Sequence, residues 1–139
     1  MADLAAIDRV NVVEWRETHT VPAGEALTEG AALRVDATSF KAMLGNASAA
    51  GEAGILGLNT KAVSTVNMPA VLLKKGLVAL YTAAGANVLA GLAPGALVYV
   101  SNNDSRLADA AGTVPVIMGK VVVLWNDPTA PTKLLSVDL

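Results

Sequence analysis

The sequence predicts an all-β domain, either a small β-barrel or a β-sandwich-like domain. Three features lead there: short β-branched and aromatic runs, turn-forming residues at close intervals, and no uninterrupted stretch long enough for a stable helix. The runs fall at residues 10–13, 31–35, 55–58, 71–73, 77–81, 96–100, 116–124 and 134–139. Nearly every break between them carries Gly, Pro, Asn or Asp, as in "VPAG" from Val21, "NMPA" from Asn67 and "NDPTAP" from Asn126. Helix is confined to a brief turn at residues 39–44 or 46–54, where glycines cut it short.

The chain repeats itself. "ALTEGAALRVDATSFKAM", residues 26–43, overlays "GLAPGALVYVSNNDSRLADA", residues 91–110, with Leu27 on Leu92 and Gly30 on Gly95. In that overlay Leu33 and Val35 match the apolar pair Leu97 and Tyr99. Further on, "GILGLNTKAV" at 54–63 resembles "VIMGKVVVLW" at 116–125, which puts Gly57 on Gly119. Two similar halves recurring at roughly 60 to 65 residues follow, each a strand opening at a Gly, then a turn and a return strand. The chain length of 139 residues suits one domain. The organisation expected is an N-terminal arm, residues 1–20, set outside the repeat, and a β domain over residues 21–139.

Composition narrows the function classes. Ten Lys plus Arg against twelve Asp plus Glu give no basic footprint for nucleic acid. With no cysteine there is no disulfide, thiolate metal site or cysteine nucleophile. Apolar residues make up 53% of the chain, more than a domain this small readily hides, which points to a subunit of an assembly. The stretch 76–100 has no charge and is long enough to cross a bilayer, but its glycines, Asn87 and Pro94 make it buried strands joined by turns, so no membrane association is expected. The start "MADLAAIDRVNVVEWRE" lacks a basic region ahead of a long apolar run and does not read as a signal peptide.

Reactive chemistry is sparse. The densest polar cluster, Asn102, Asn103, Asp104, Ser105 and Arg106, occupies the place of the 36–39 turn in the other half, and Asn, Asp and Ser are turn formers. A hairpin tip is expected there; one carboxylate is too few for a calcium loop. His19 is the only histidine and reads as a solvated strand residue beside Glu14, Glu17 and Thr18. Around Gly119 and Lys120, Val114 and Val121 stand where a P-loop needs Gly and Ser or Thr, and "GEAGILG" lacks the dinucleotide spacing. Asp8 with Glu14 and Glu25 with Glu29 read as surface charges. Two sequon matches, at Asn46 and Asn103, read as accidental in the absence of a secretory signal. Trp15 and Trp125 read as core or interface residues. Neither catalytic residues nor a cofactor or metal site is expected.

In order, "VPAGEALTEGAALRVD", "GILGLNTKAV", "LLKKGLVAL", "LAPGALVYVSNNDSRLADA" and "VIMGKVVVLW" with the final "LLSVDL" resemble the head decoration, or capsid cement, proteins of tailed bacteriophages. The resemblance covers residues 21–139 and rests on patterned strands. It implies a small β protein without enzymatic activity that binds the major capsid protein on the virion exterior, commonly as a homotrimer. This chain departs from the pattern in the Ala-rich "GNASAAGEAG" and in its extended start. Val10, Val12, Val13 and Trp15 are the candidate shell contacts, on a strand-like segment able to add to a sheet edge of the shell protein or to close this chain's own sheet. Two other readings stay open: a biotinyl- or lipoyl-type carrier domain using Lys120, and a β-barrel binding a sugar or small ligand at Trp15 or Trp125.

Overall fold

The computed structural model describes residues 3–139. Their secondary structure is all β, and the strands form one curled antiparallel sheet, a half-barrel. In chain order they are β1 (Arg9–Pro22), β2 (Ala32–Val35), β3 (Ala42–Leu44), β4 (Ile55–Asn59), β5 (Pro69–Tyr81), β6 (Leu97–Val100), β7 (Leu107–Ala108), β8 (Ile117–Leu124) and β9 (Thr132–Asp138). The uncharged stretch 76–100 becomes the end of β5, a turn-rich connection and β6. Among the described residues no helix is long and apolar enough to cross a membrane.

The long strand β5 organises the sheet. One edge is covered throughout by β1, from Arg9 opposite Tyr81 to Pro22 opposite Pro69. Its other edge is shared: Leu72 and Leu73 pair with β4, and Lys75 to Val78 pair with β9. From β4 the sheet continues through β2 to β3; from β9 it continues through β8 and β6 to β7.

These two wings are copies of one another. In the first, Arg34 lies opposite Met43 and Val35 opposite Ala42; in the second, Tyr99 lies opposite Ala108 and Val100 opposite Leu107. Leu33 faces Gly57 and Val98 faces Gly119, and a bulge follows each pair at the same place, before Arg34 and before Tyr99. The entry turns match too: Gly30 and Gly95 both take positive φ, near 83° and 87°, which a Cβ would strain. Gly30 donates its N–H to Asn59 and Gly95 to Val121, while Asn59 and Val121 donate back to Ala31 and Ala96. The hairpin tips share a left-handed residue, Phe40 in one and Ser105 in the other. They also share a closing bond, Asp36 N–H to Lys41 C=O and Ser101 N–H to Arg106 C=O.

The duplication predicted from sequence is therefore present, with one correction. The structural partners of Leu33 and Val35 are Val98 and Val100, not Leu97 and Tyr99. A slip of one residue exchanges the two faces of a strand, and it is Val98 and Val100 that are fully buried, like Leu33.

Faces explain how the copies pack. In the first wing Leu33 and Leu72 lie on one face and form a small core with Ala23, Leu27, Ala31, Ala42 and Ala70. The opposite face, with Ala32, Ile55, Leu58 and Leu73, shares the main core with Val98, Val100, Leu107 and Leu135 of the second wing. The wings thus stack head to tail, the second face of one on the first face of the other. At the free end of this stack stand Leu97, Ile117, Lys120 and Ser136, the counterparts of Ala32, Ile55, Leu58 and Leu73. Leu58 and Leu73 are fully buried, whereas Lys120 is exposed and Ser136 half-buried. Polar residues replace apolar ones where the stack meets water.

Three element expectations change. The runs 71–73 and 77–81 are one strand, because Lys74 reaches Glu17 at 3.4 Å and Lys75 reaches Asp138 at 2.6 Å, so their charges leave the sheet while the backbone stays paired. The brief helix considered at 39–44 or 46–54 is absent; Ala42–Leu44 is β3, and 46–54 is a run of bends and turns whose Ala47 is fully buried. The arm expected at residues 1–20 is, from Arg9 on, part of β1, which runs across the 20/21 boundary into Pro22. Ahead of it, Leu4 and Ile7 pack on the main core.

Gly57 and Gly119 sit where the next strand passes closest. A Cβ on Gly119 would collide with the Ser136 carbonyl, and one on Gly57 with the backbone of Leu72. Backbone cannot swing aside as a side-chain end does, so Gly119→Ala is expected to lower the unfolding free energy in urea by about 1–3 kcal/mol. A change inside roughly 0.5 kcal/mol, the usual range of a neutral surface substitution, contradicts the close approach.

Candidate functional site

The candidate shell-contact residues stand on β1, and the structure divides them. Val10 is buried and Val12 half-buried, both packed on the chain's own main core. Val13 and Trp15 are exposed, Trp15 at 55% of its surface. Along this stretch the register with β5 shifts between Val12 and Glu14, between Trp15 and Glu17, and again between Glu17 and Thr18. Each shift breaks simple alternation and bends the strand, and every residue from Val13 to Thr20 is exposed.

Among the described residues, β1 pairs only with β5, which leaves it an outer edge. Near its start that edge is guarded, since the Val10 N–H donates to the Glu29 carboxylate at 2.6 Å. Further along it carries Glu14 and Arg16, joined at 2.8 Å. Arg16 holds the Glu14 carboxyl below its ordinary range, chiefly by hydrogen bonding, and is itself pushed up by the same bond. Both groups are in water, where such a pair adds little to stability. His19 also stands exposed on this strand, opposite Leu72.

The polar cluster of the second hairpin tip is a latch. Asp3 accepts from the Ser101 hydroxyl at 2.5 Å and from the Asn103 amide at 2.8 Å, and Arg106 donates to the Leu4 carbonyl. Asn46 of the first half donates to Asp104 at 2.7 Å, and the Thr28 hydroxyl to Ser105 at 2.6 Å. Ala47 N–H donates to the Ser101 carbonyl and Val114 N–H to that of Ala47, so the Ala-rich segment is stitched under the tip. The cluster joins the N-terminal segment, the first wing and the second. Its residue types served sequence reasoning only as turn formers, because their partners lie far away in the chain.

Other sequence candidates find plain places. Lys120 is in mid-strand β8, opposite Leu97 on one side and Ser136 on the other, whereas a carrier lysine has to stand at a hairpin tip. Among the described residues no three His, Asp or Glu side chains come together as a metal site would require. Trp125 is 74% exposed at the tip of the β8–β9 hairpin, next to exposed Val123 and Leu124.

Among the described residues, three of the surface grooves bear on these side chains. Val12, Trp15, Asn11, Thr60, Lys61 and Val71 border one of about 520 Å³. A neighbouring groove of about 340 Å³ shares Lys61 and Val71 and adds Val63, Met68 and Pro69. The third, about 300 Å³, crosses the free end of the stack over Leu97, Ile117, Val122 and Lys120. All three are edged by apolar side chains.

The chain matches no protein-family model and no curated protein sequence.

The latch titrates. Hydrogen bonds from Ser101 and then Asn103 hold the Asp3 carboxyl below its usual 3.8, with the Arg106 charge adding to them. A carboxyl depressed in the folded state contributes stability that is complete above its unfolded pKa and is lost as pH falls through the folded value. Asp36, Asp127 and Asp138 are depressed as well. The melting temperature is therefore expected to fall on acidification below about pH 4. Asp3→Asn should flatten part of that fall; an unchanged acid limb in the variant contradicts the latch.

Proposed function

We propose that this chain is a capsid decoration protein of a tailed bacteriophage, a homotrimer that binds the major capsid protein on the virion exterior and reinforces the mature shell without catalysis or cofactor. One observation carries the reading: an outer edge strand bears Val13 and Trp15 in the open, while the other large apolar strand residues, apart from Leu56, Ile117, Val123 and Leu124, are buried or half-buried. Exposed strand edges with apolar side chains are attachment sites for another chain's backbone. The resemblance of residues 21–139 to decoration proteins supplies the partner and the trimer, and it rests on the strand patterns quoted above.

Magnitudes suit the role. Trp15 is 55% exposed, so covering it removes on the order of 110 Å² from water, about 3 kcal/mol of gross stabilisation before association costs. In a trimer the same contact recurs, and each bound subunit raises the effective concentration of the next. Modest contacts thereby hold.

Truncation is a poor test. Removing residues 1–20 takes away most of the strand that covers β5, together with Val10 from the core. Side-chain changes on the exposed part of β1 isolate attachment from folding. Val13→Glu combined with Trp15→Ala is expected to lower occupancy on purified undecorated heads at least about tenfold, as loss of a central aromatic anchor does. Thermal melting of the free protein should stay near wild type, since both side chains face solvent. Wild-type occupancy by the double variant rejects β1 as the attachment strand.

A further inference from the structure

We infer that copies of this chain join tip to groove, with the Trp125 hairpin tip of one copy seated in the Val63–Met68 groove of the next. The inference deepens the self-association part of the proposed function and does not depend on the shell.

The internal repeat shows what Trp125 lacks. The overlay that sets Gly57 on Gly119 sets Val63 on Trp125. In the first half the chain leaves the sheet after Asn59, and Val63 exchanges both backbone bonds with Leu27, Val63 N–H to Leu27 C=O and Leu27 N–H to Val63 C=O. Its side chain packs on the small core. In the second half β8 runs on to Leu124, paired with β9, and carries Trp125 outward into solvent. The position that docks on a core in one half is a protruding indole in the other. An indole held 74% exposed on a closed hairpin, with Val123 and Leu124 exposed beside it, is a side chain built for another surface.

The groove beside Val63 has the complementary chemistry. Val63, Pro69 and Val71 give it apolar walls, and Met68, exposed at its rim, offers a thioether to an aromatic ring. Lys61 lines it as well, and no ion pair engages its ammonium among the described residues. Two residues beyond Trp125 stands Asp127, whose carboxylate is kept charged by the N–H groups of Thr129 and Ala130. Seating the indole against Met68 brings Asp127 toward Lys61. The apolar lining and the opposite charges of Lys61 and Asp127 agree on one occupant, a second copy.

No copy fills its own groove. Val78 lies opposite Leu135, so the β8–β9 tip extends past the C-terminal end of β5, whereas the groove flanks Pro69 at its N-terminal end. The tip and the groove thus lie at opposite ends of the thirteen-residue strand β5, up to about 40 Å apart along it. A contact between different patches of identical chains is heterologous and closes into a ring or runs on as a filament; the proposed trimer is the closed form.

The test needs no capsid. Trp125→Ala removes the tip, and Lys61→Glu combined with Met68→Glu spoils the groove; all three side chains are exposed. Sedimentation equilibrium of the free wild-type chain should show self-association, and each variant alone should associate at least about tenfold more weakly. Mixed in equal amounts, the two variants retain one intact tip and one intact groove between them and should form a dimer that grows no further, which also shows that both are folded. A wild-type chain that stays monomeric at millimolar concentration, variants that assemble as wild type, or a mixture that stays monomeric each overturns the contact. Head occupancy of the β1 variant reads shell attachment separately, so either reading can fail without the other.

Discussion

Both edges of β5 are occupied, and the rest of the molecule depends on it. A strand with neighbours on each side over its central residues, β1 on one edge and β4 then β9 at Leu72–Leu73 and Lys75–Val78 on the other, can be apolar on both faces there; Leu72, Leu73, Val78 and Leu80 are fully buried. On one edge β5 passes from β4 to β9 at Lys74, Lys75 and Gly76. Each lysine finds a carboxylate at the rim, and the Glu14 carbonyl of β1 approaches Gly76 so closely that a Cβ there would collide with it. β1 follows the same bend with bulges at Val13 and Arg16, opposite this handover. Along this bend β1 leaves both cores, and Val13 and Trp15 stand exposed.

Much of this was legible in the residues. Gly30 and Gly95 mark left-handed turns, and Gly57 and Gly119 mark close strand approach, so the repeat shows through sequences that otherwise differ. The one-residue slip arose because Leu97, Val98, Tyr99 and Val100 are all apolar, and a run without alternation does not reveal its face. Keeping the Gly30 to Gly95 spacing constant through the strand finds the right partner. The length of β1 was hidden for the opposite reason: residues 14–20, "EWRETHT", are exposed on both faces and so carry no period. Val10 and Val12 were grouped with Val13 and Trp15 by composition, and only the register with Leu80 and Val78 separates core from surface. The latch at Asp3, Ser101 and Asn103 was out of reach, because nothing local tells a turn former that its partner lies at the far end of the chain.

Duplication has a further consequence for how such a molecule meets others. Had the wings packed face to face about a local two-fold, both ends of the domain would be alike and its self-contacts would be expected between identical patches. They stack head to tail instead, so the same face is core in one wing and surface in the other, and Leu58 and Leu73 correspond to Lys120 and Ser136. The ends are unlike. Along β5 the asymmetry repeats, with a groove at Pro69 and a protruding hairpin beyond Tyr81. A domain with polarity of this kind offers each neighbour a different surface from the one it presents to the other, which is the condition for heterologous assembly. In the contacts proposed above, the apolar surplus in its composition is covered in two places: along the exposed part of β1, and between the tip of one copy and the groove of the next.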